Sequence, residues 1–135
     1  MLLGFVNHLR IQYVTTEQEN WAEQLPKSGW ILLAIADEAA QAPNAALTVC
    51  LHRAPAGISC AGQWAATLED NFDVEIVLQA LAWEEQQQLP FDYDYVPVTT
   101  ADVDVAEALW FAVTLAPDMA TEVIDTVVCL DFTRQ

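Results

Sequence analysis

Trp30-Ile31-Leu32-Leu33-Ala34-Ile35-Ala36 is an apolar run without a single polar break, bounded by Gly29 and Asp37. A strand with one face in water alternates apolar and polar residues. A run of this length without alternation suits a strand covered on both faces, and so a central position in its sheet.

Working outward from this strand, Leu9, Ile11 and Tyr13 alternate with Arg10 and Gln12, the period of a half-buried strand. Thr16-Glu17-Gln18-Glu19 is a capping-box start and predicts a short helix to about Leu25, closed by Pro26-Lys27-Ser28-Gly29. Beyond Pro43, Leu47-Thr48-Val49-Cys50-Leu51-His52 reads as a strand that turns through Ala54-Pro55-Ala56-Gly57 into Ile58-Ser59-Cys60, a predicted hairpin. Trp64, Leu68, Phe72 and Ile76 then recur every fourth residue, predicting amphipathic helix through Trp83, ended by Gln86-Gln87-Gln88 and Pro90. Thr100 is placed to cap a helix with Asp102, Asp104 and Glu107 in its first turns and Pro117 at its stop, and residues 126–132 form a last buried strand. The order predicts an α/β fold, with α+β as the alternative: one mixed sheet of four or five strands packed by three or four helices. No repeat or linker divides residues 1–135, so one domain is expected.

Composition restricts the partners. Twenty Asp and Glu stand against four Lys and Arg, a net charge of −16, which repels nucleic-acid phosphates and anionic membranes. Charged residues are only 18% of the chain while mean hydropathy is +0.23 with five Trp, so a patch covered by a partner is expected, a homodimer included. Cys50, Cys60 and Cys129 form no C-x-x-C and leave an odd thiol, a pattern that favours the reducing cytoplasm. No secretory-type leader and no apolar run of membrane-spanning length is read.

Gly57-Ile58-Ser59-Cys60-Ala61-Gly62 is the sharpest enzymatic hint, a strand ending in Cys, a small residue and Gly before a helix. Over these few residues it resembles the strand–Cys–helix elbow of the glutamine-amidotransferase-like and parkinsonism-associated deglycase-like superfamily, which implies Cys60 as nucleophile of a small thiol enzyme. That superfamily's catalytic His follows its Cys, whereas His8 and His52 both precede Cys60. The favoured expectation is therefore no enzyme, the small residues simply letting a helix pack close on a strand. Cys50 and His52 on one face of a strand, with Cys60 across the hairpin, fall short of a closed zinc site. The stretches 70–75 and 92–94 lack the Gly and distal Glu of a calcium loop. There is no P-loop or G-x-G-x-x-G, and four Gly leave little for a phosphate cradle, so no metal and no cofactor is expected.

Aromatic and acidic side chains interleave in Phe91-Asp92-Tyr93-Asp94-Tyr95, with Val96-Pro97 stiffening the segment behind them. Rings supply contact area at low entropic cost and carboxylates attract Arg or Lys, so this segment is the first candidate docking site. The acidic pairs Asp37/Glu38 and Glu69/Asp70 with Asp73 are further candidates. In size, charge and compartment the chain is similar to bacterial immunity proteins and antitoxins, which implies occlusion of a basic toxin domain such as a nuclease. The competing expectations are a nucleic-acid mimic that inhibits a DNA-binding or defence protein, and the thiol enzyme above.

Overall fold

The computed structural model describes residues 1–132, the Tyr95 side chain excepted. Its strands are β1 (Leu2–Val6), β2 (Leu9–Thr15), β3 (Trp30–Ile35), β4 (Gly57–Ala61), β5 (Val98–Asp102) and β6 (Thr126–Asp131), and its helices α1 (Asn44–His52), α2 (Ala65–Gln87), α3 (Val105–Thr114) and α4 (Ala116–Met119). They form one mixed sheet in the order β1-β2-β6-β3-β4-β5, parallel throughout except for the β1–β2 hairpin. The fold is α/β, with six strands where four or five were expected.

Parallel neighbours need a crossover, and the crossovers supply the cover that β3 requires. α1 and α2 lie on one face, where Leu47, Cys50, Leu68 and Phe72 pack on Trp30, Leu32, Ile58, Cys60, Val128 and Leu130. After β5 the chain returns across the other face through α3 and α4, where Ala108, Ala112, Val113 and Ala116 pack on Ile31, Leu33, Val127 and Cys129. The buried Trp30 indole donates to Arg53 O at 2.8 Å, so this core ring leaves no polar atom unpaired.

Four expectations are corrected. The stretch 47–52 is helix, with Ala46, Leu47 and Cys50 buried at helical spacing; β4 must run parallel to β3, and only a crossover, never a hairpin, delivers that. The helix expected before Leu25 is a single 3-10 turn, Trp21–Gln24, whose N-terminus has no side-chain cap and which Pro26 cuts off. Thr100 lies inside β5, and the cap of α3 is Asp104, whose carboxylate accepts from Ala106 N and Glu107 N. Pro117 sits within α4 rather than past a helix end. β1 was not foreseen; Asn7 and His8, at φ 51° and 69°, make the tight turn that pairs it with β2.

Candidate functional site

All crossover helices run opposite to the strands, so the C-termini of α1, α2 and α3 lie at the end of the sheet where the parallel strands begin. Helix C-termini carry the negative end of the peptide dipole. α2 aggravates this, since Glu84 and Glu85 occupy its last turns where Lys or Arg would be favourable. At that end a cleft of about 600 Å³ opens between Ile76, Gln79 and Trp83 of α2, the segment after it, and the chain that follows α4.

The segment after α2 is ordered by its own backbone turns. Gln88, in the left-handed region at φ 59°, ends the helix with its N–H on Glu84 O at 2.8 Å. Asp92 Oδ1 then accepts from Asp94 N at 3.0 Å and starts the 3-10 turn Tyr93–Tyr95. Phe91 is sandwiched edge-to-face, 5.6 Å from the Trp83 ring and 5.1 Å from Tyr93. Tyr93 is about half exposed, at 49%, and Trp83 is 38% exposed. Phe91 and Asp94 line the cleft directly. Of the residues predicted here, Tyr95 has its side chain outside the described part of the structure.

Three residues of this site were not singled out from the sequence. Trp83 was read only as the end of a helix, yet Ile76, Gln79 and Trp83 stand at i, i+3 and i+7 and continue along α2 the same face that Leu68 and Phe72 bury, carrying it into the cleft. The Gln79 amide nitrogen is buried with no hydrogen-bond partner among the described residues, an unmet donor in the cleft wall. Glu122 lines the opposite wall, its carboxylate accepting from Gly29 N at 3.2 Å. Beside the ring cluster, Val74, Val77, Leu78 and Leu81 form an exposed apolar stripe on the outer side of α2, between acidic residues at both ends.

The other candidate acids lie elsewhere. Asp37 and Glu38 follow β3 at the far end of the strands, where Asp37 Oδ1 accepts from Gln63 N at 3.1 Å and Glu38 closes a capping box with Gln41. Glu69 and Asp70 belong to the first turns of α2, about 27 Å along the helix from its last turn. Asp73 is tied to β5 by Thr99 Oγ1 at 2.7 Å. The expected acids therefore divide between two ends of the molecule, and the aromatic ones gather at one.

The Cys60 elbow exists as backbone: β4 ends at Ala61, Gly62 takes φ +99°, and α2 follows. Its thiol, however, faces the core under α2, and burial pushes its pKa well above the ordinary thiol range, with the Glu69 and Asp73 carboxylates adding to the effect. His52 is the last residue of α1 and His8 sits in the β1–β2 turn, both at the opposite end of the strands from Cys60. The arrangement around Cys50, His52 and Cys60 depended on a hairpin that is not formed, and no cluster of three His, Cys, Asp or Glu suited to a metal is found among the described residues.

A family model described as a domain of unknown function, DUF7684, matches residues 8–135. The chain belongs to the DUF7684 family. β1 precedes the matched span. No curated protein and no solved structure matches this DUF7684 chain. Among its described residues no helix is long and apolar enough to cross a membrane.

Proposed function

We infer that this DUF7684 chain is a binding protein that occludes a basic protein partner, docking it on the face built by Trp83, Phe91 and Tyr93 with Asp92, Asp94 and Glu122 around the cleft. The reading rests on the edge-to-face ring cluster at the negatively polarised end of three helices, in a chain of net charge −16. Partly exposed rings supply the anchors, the carboxylates and helix ends supply a potential that attracts Lys and Arg, and the unmet Gln79 donor takes a carbonyl oxygen from the inserted segment. The chain's acids and the scarcity of Lys both disfavour a nucleic acid or anionic bilayer as the direct ligand.

Within that class the partner is a toxin of the cytoplasm, a nuclease being the type whose own active site must be basic, and the DUF7684 chain is its immunity protein or antitoxin. Photo-crosslinking tests this: a benzophenone side chain at position 93 should give one covalent adduct with a basic protein, and the same group at position 38 should give none. The purified partner should then lose its activity at one equivalent of this chain. An acidic adduct, or crosslinking from position 38 alone, would overturn the reading.

A further inference from the structure

The acids are not spread evenly. All 20 lie at Glu17 or beyond, and residues 1–16, the whole β1–β2 hairpin, hold Arg10 as their one Lys or Arg and no carboxylate. β1 is the edge of the sheet, and Leu2, Leu3, Phe5 and Val6 are 44–64% exposed on it. Edge strands are ordinarily blunted by charge or proline. β1 carries neither; its one irregularity is a bulge between Leu2 and Gly4. The opposite edge, β5, follows Pro97 and ends in Asp102.

The register says what this edge offers. Arg10 N donates to Asp125 O at 2.8 Å, away from β1, and Arg10 faces Phe5 across the hairpin. In an antiparallel ladder such a pair is not hydrogen-bonded, so the Phe5 amide and carbonyl point outward to the free edge.

We propose that the β1 edge pairs with the β1 edge of a second copy of this chain, antiparallel about Phe5, joining two six-stranded sheets into one. Each Phe5 N–H then donates to the Phe5 carbonyl of the other copy, and the two rings lie side by side on one face. The pairing is self-complementary and closes at two copies, where a head-to-tail contact would run on into a fibre. It is also the approach that charge permits, because at −16 a second copy is repelled by the acidic surfaces elsewhere. Glu17 and Asp131 line a hollow beside Met1 and Leu3 that the Met1 ammonium also borders. The interface is modest for a stable dimer, so association depends on concentration. Since β1 and β5 are opposite edges of the sheet, the dimer leaves both Trp83–Tyr93 faces free.

Sedimentation equilibrium of the full chain at physiological salt should show a reversible monomer–dimer equilibrium. Phe5→Lys places two ammonium groups across the axis, beside Arg10, and should remove the dimer while leaving the circular dichroism spectrum and Tm unchanged. Mixing Phe5→Lys with Phe5→Glu should restore dimers containing one of each. A wild-type chain monomeric at every accessible concentration, a dimer indifferent to Phe5→Lys, or a mixture that stays monomeric would each overturn the proposal.

Discussion

The two ends of the parallel strands are built to opposite specifications. Where the strands finish, beside β3 and β4, backbone closes on backbone: Ala36 N donates to Ala61 O at 3.0 Å, Trp64 N donates to Ala36 O at 3.1 Å, and Asp37 holds Gln63 N. A Cβ on Gly62 would stand 2.4 Å from Ala36 O. Where the strands begin, the chain leaves a cleft, a half-exposed ring cluster and an unmet amide. Open α/β sheets commonly bind small ligands at the first end, where helix N-termini offer positive dipoles to phosphates and carboxylates. In this chain the elaborated end is the other one, where helix C-termini favour cations. The fold supplies the polarity, and the loops decide which pole is used.

Substitutions should separate the two ends, with stability lost at the closed one and affinity at the open one. Phe72→Ala, on the buried face of α2, should cost about 3–5 kcal/mol in urea unfolding. Gly62→Ala combines the clash with a strained positive φ and should cost about 3 kcal/mol or more. At the open end Trp83→Ala should lower stability by only about 1 kcal/mol, the worth of one ring pair, yet weaken partner binding by roughly 2 kcal/mol, about 30-fold. A Trp83→Ala variant that unfolds as readily as Phe72→Ala would make the ring cluster core, and the contrast between the ends would fall.

Legibility in the sequence follows the same division. The runs 30–36 and 126–132 were readable because a strand covered on both faces leaves a continuous buried run, and the four-residue spacing from Trp64 to Ile76 because one buried helix face leaves a period. The segment 47–52 was misread because Thr48 and Val49 suit a strand locally, and only the parallel pairing of β3 with β4, a non-local fact, demands helix there. The hairpin partner β1 hid because both its faces are exposed and apolar, so it has no alternation. Phe91, Asp92, Tyr93 and Asp94 were visible as composition. Their ties to Trp83 and Gln79 depend on how the chain folds back on α2 after Gln88, and the tie to Glu122 on the return of the chain from β5 to β6, neither of which leaves a pattern in the sequence. Asp37, Glu38, Glu69 and Asp70 could not be assigned to an end from spacing alone.

Smaller effects sharpen the contrast further. Raising salt from about 0.05 to about 0.5 M should slow association with the partner roughly tenfold in stopped-flow while dissociation changes much less, because the carboxylates at the open end steer encounter over a Debye length. Asp92→Asn and Asp94→Asn should each reduce that salt sensitivity. In the core, burial pushes the Cys50 thiol from 9.0 up to about 12 and the Cys129 thiol to about 11. The folded state keeps them protonated while the unfolded chain ionises them, so their contribution is complete below pH 9 and is lost as pH rises toward 11–12. Urea midpoints followed above pH 9 should fall less steeply in Cys50→Ala than in the wild type.

The central claim is that the ring cluster at the open end carries the affinity for a basic protein. Calorimetric titration of the partner identified by crosslinking, then purified free of the adduct, with wild-type and Tyr93→Ala chains at physiological salt tests it most directly. The expected result is a loss of about 30-fold or more in affinity for Tyr93→Ala with Tm unchanged. Equal affinities would contradict it and move the docking site to the face of Glu69, Asp70 and Asp73.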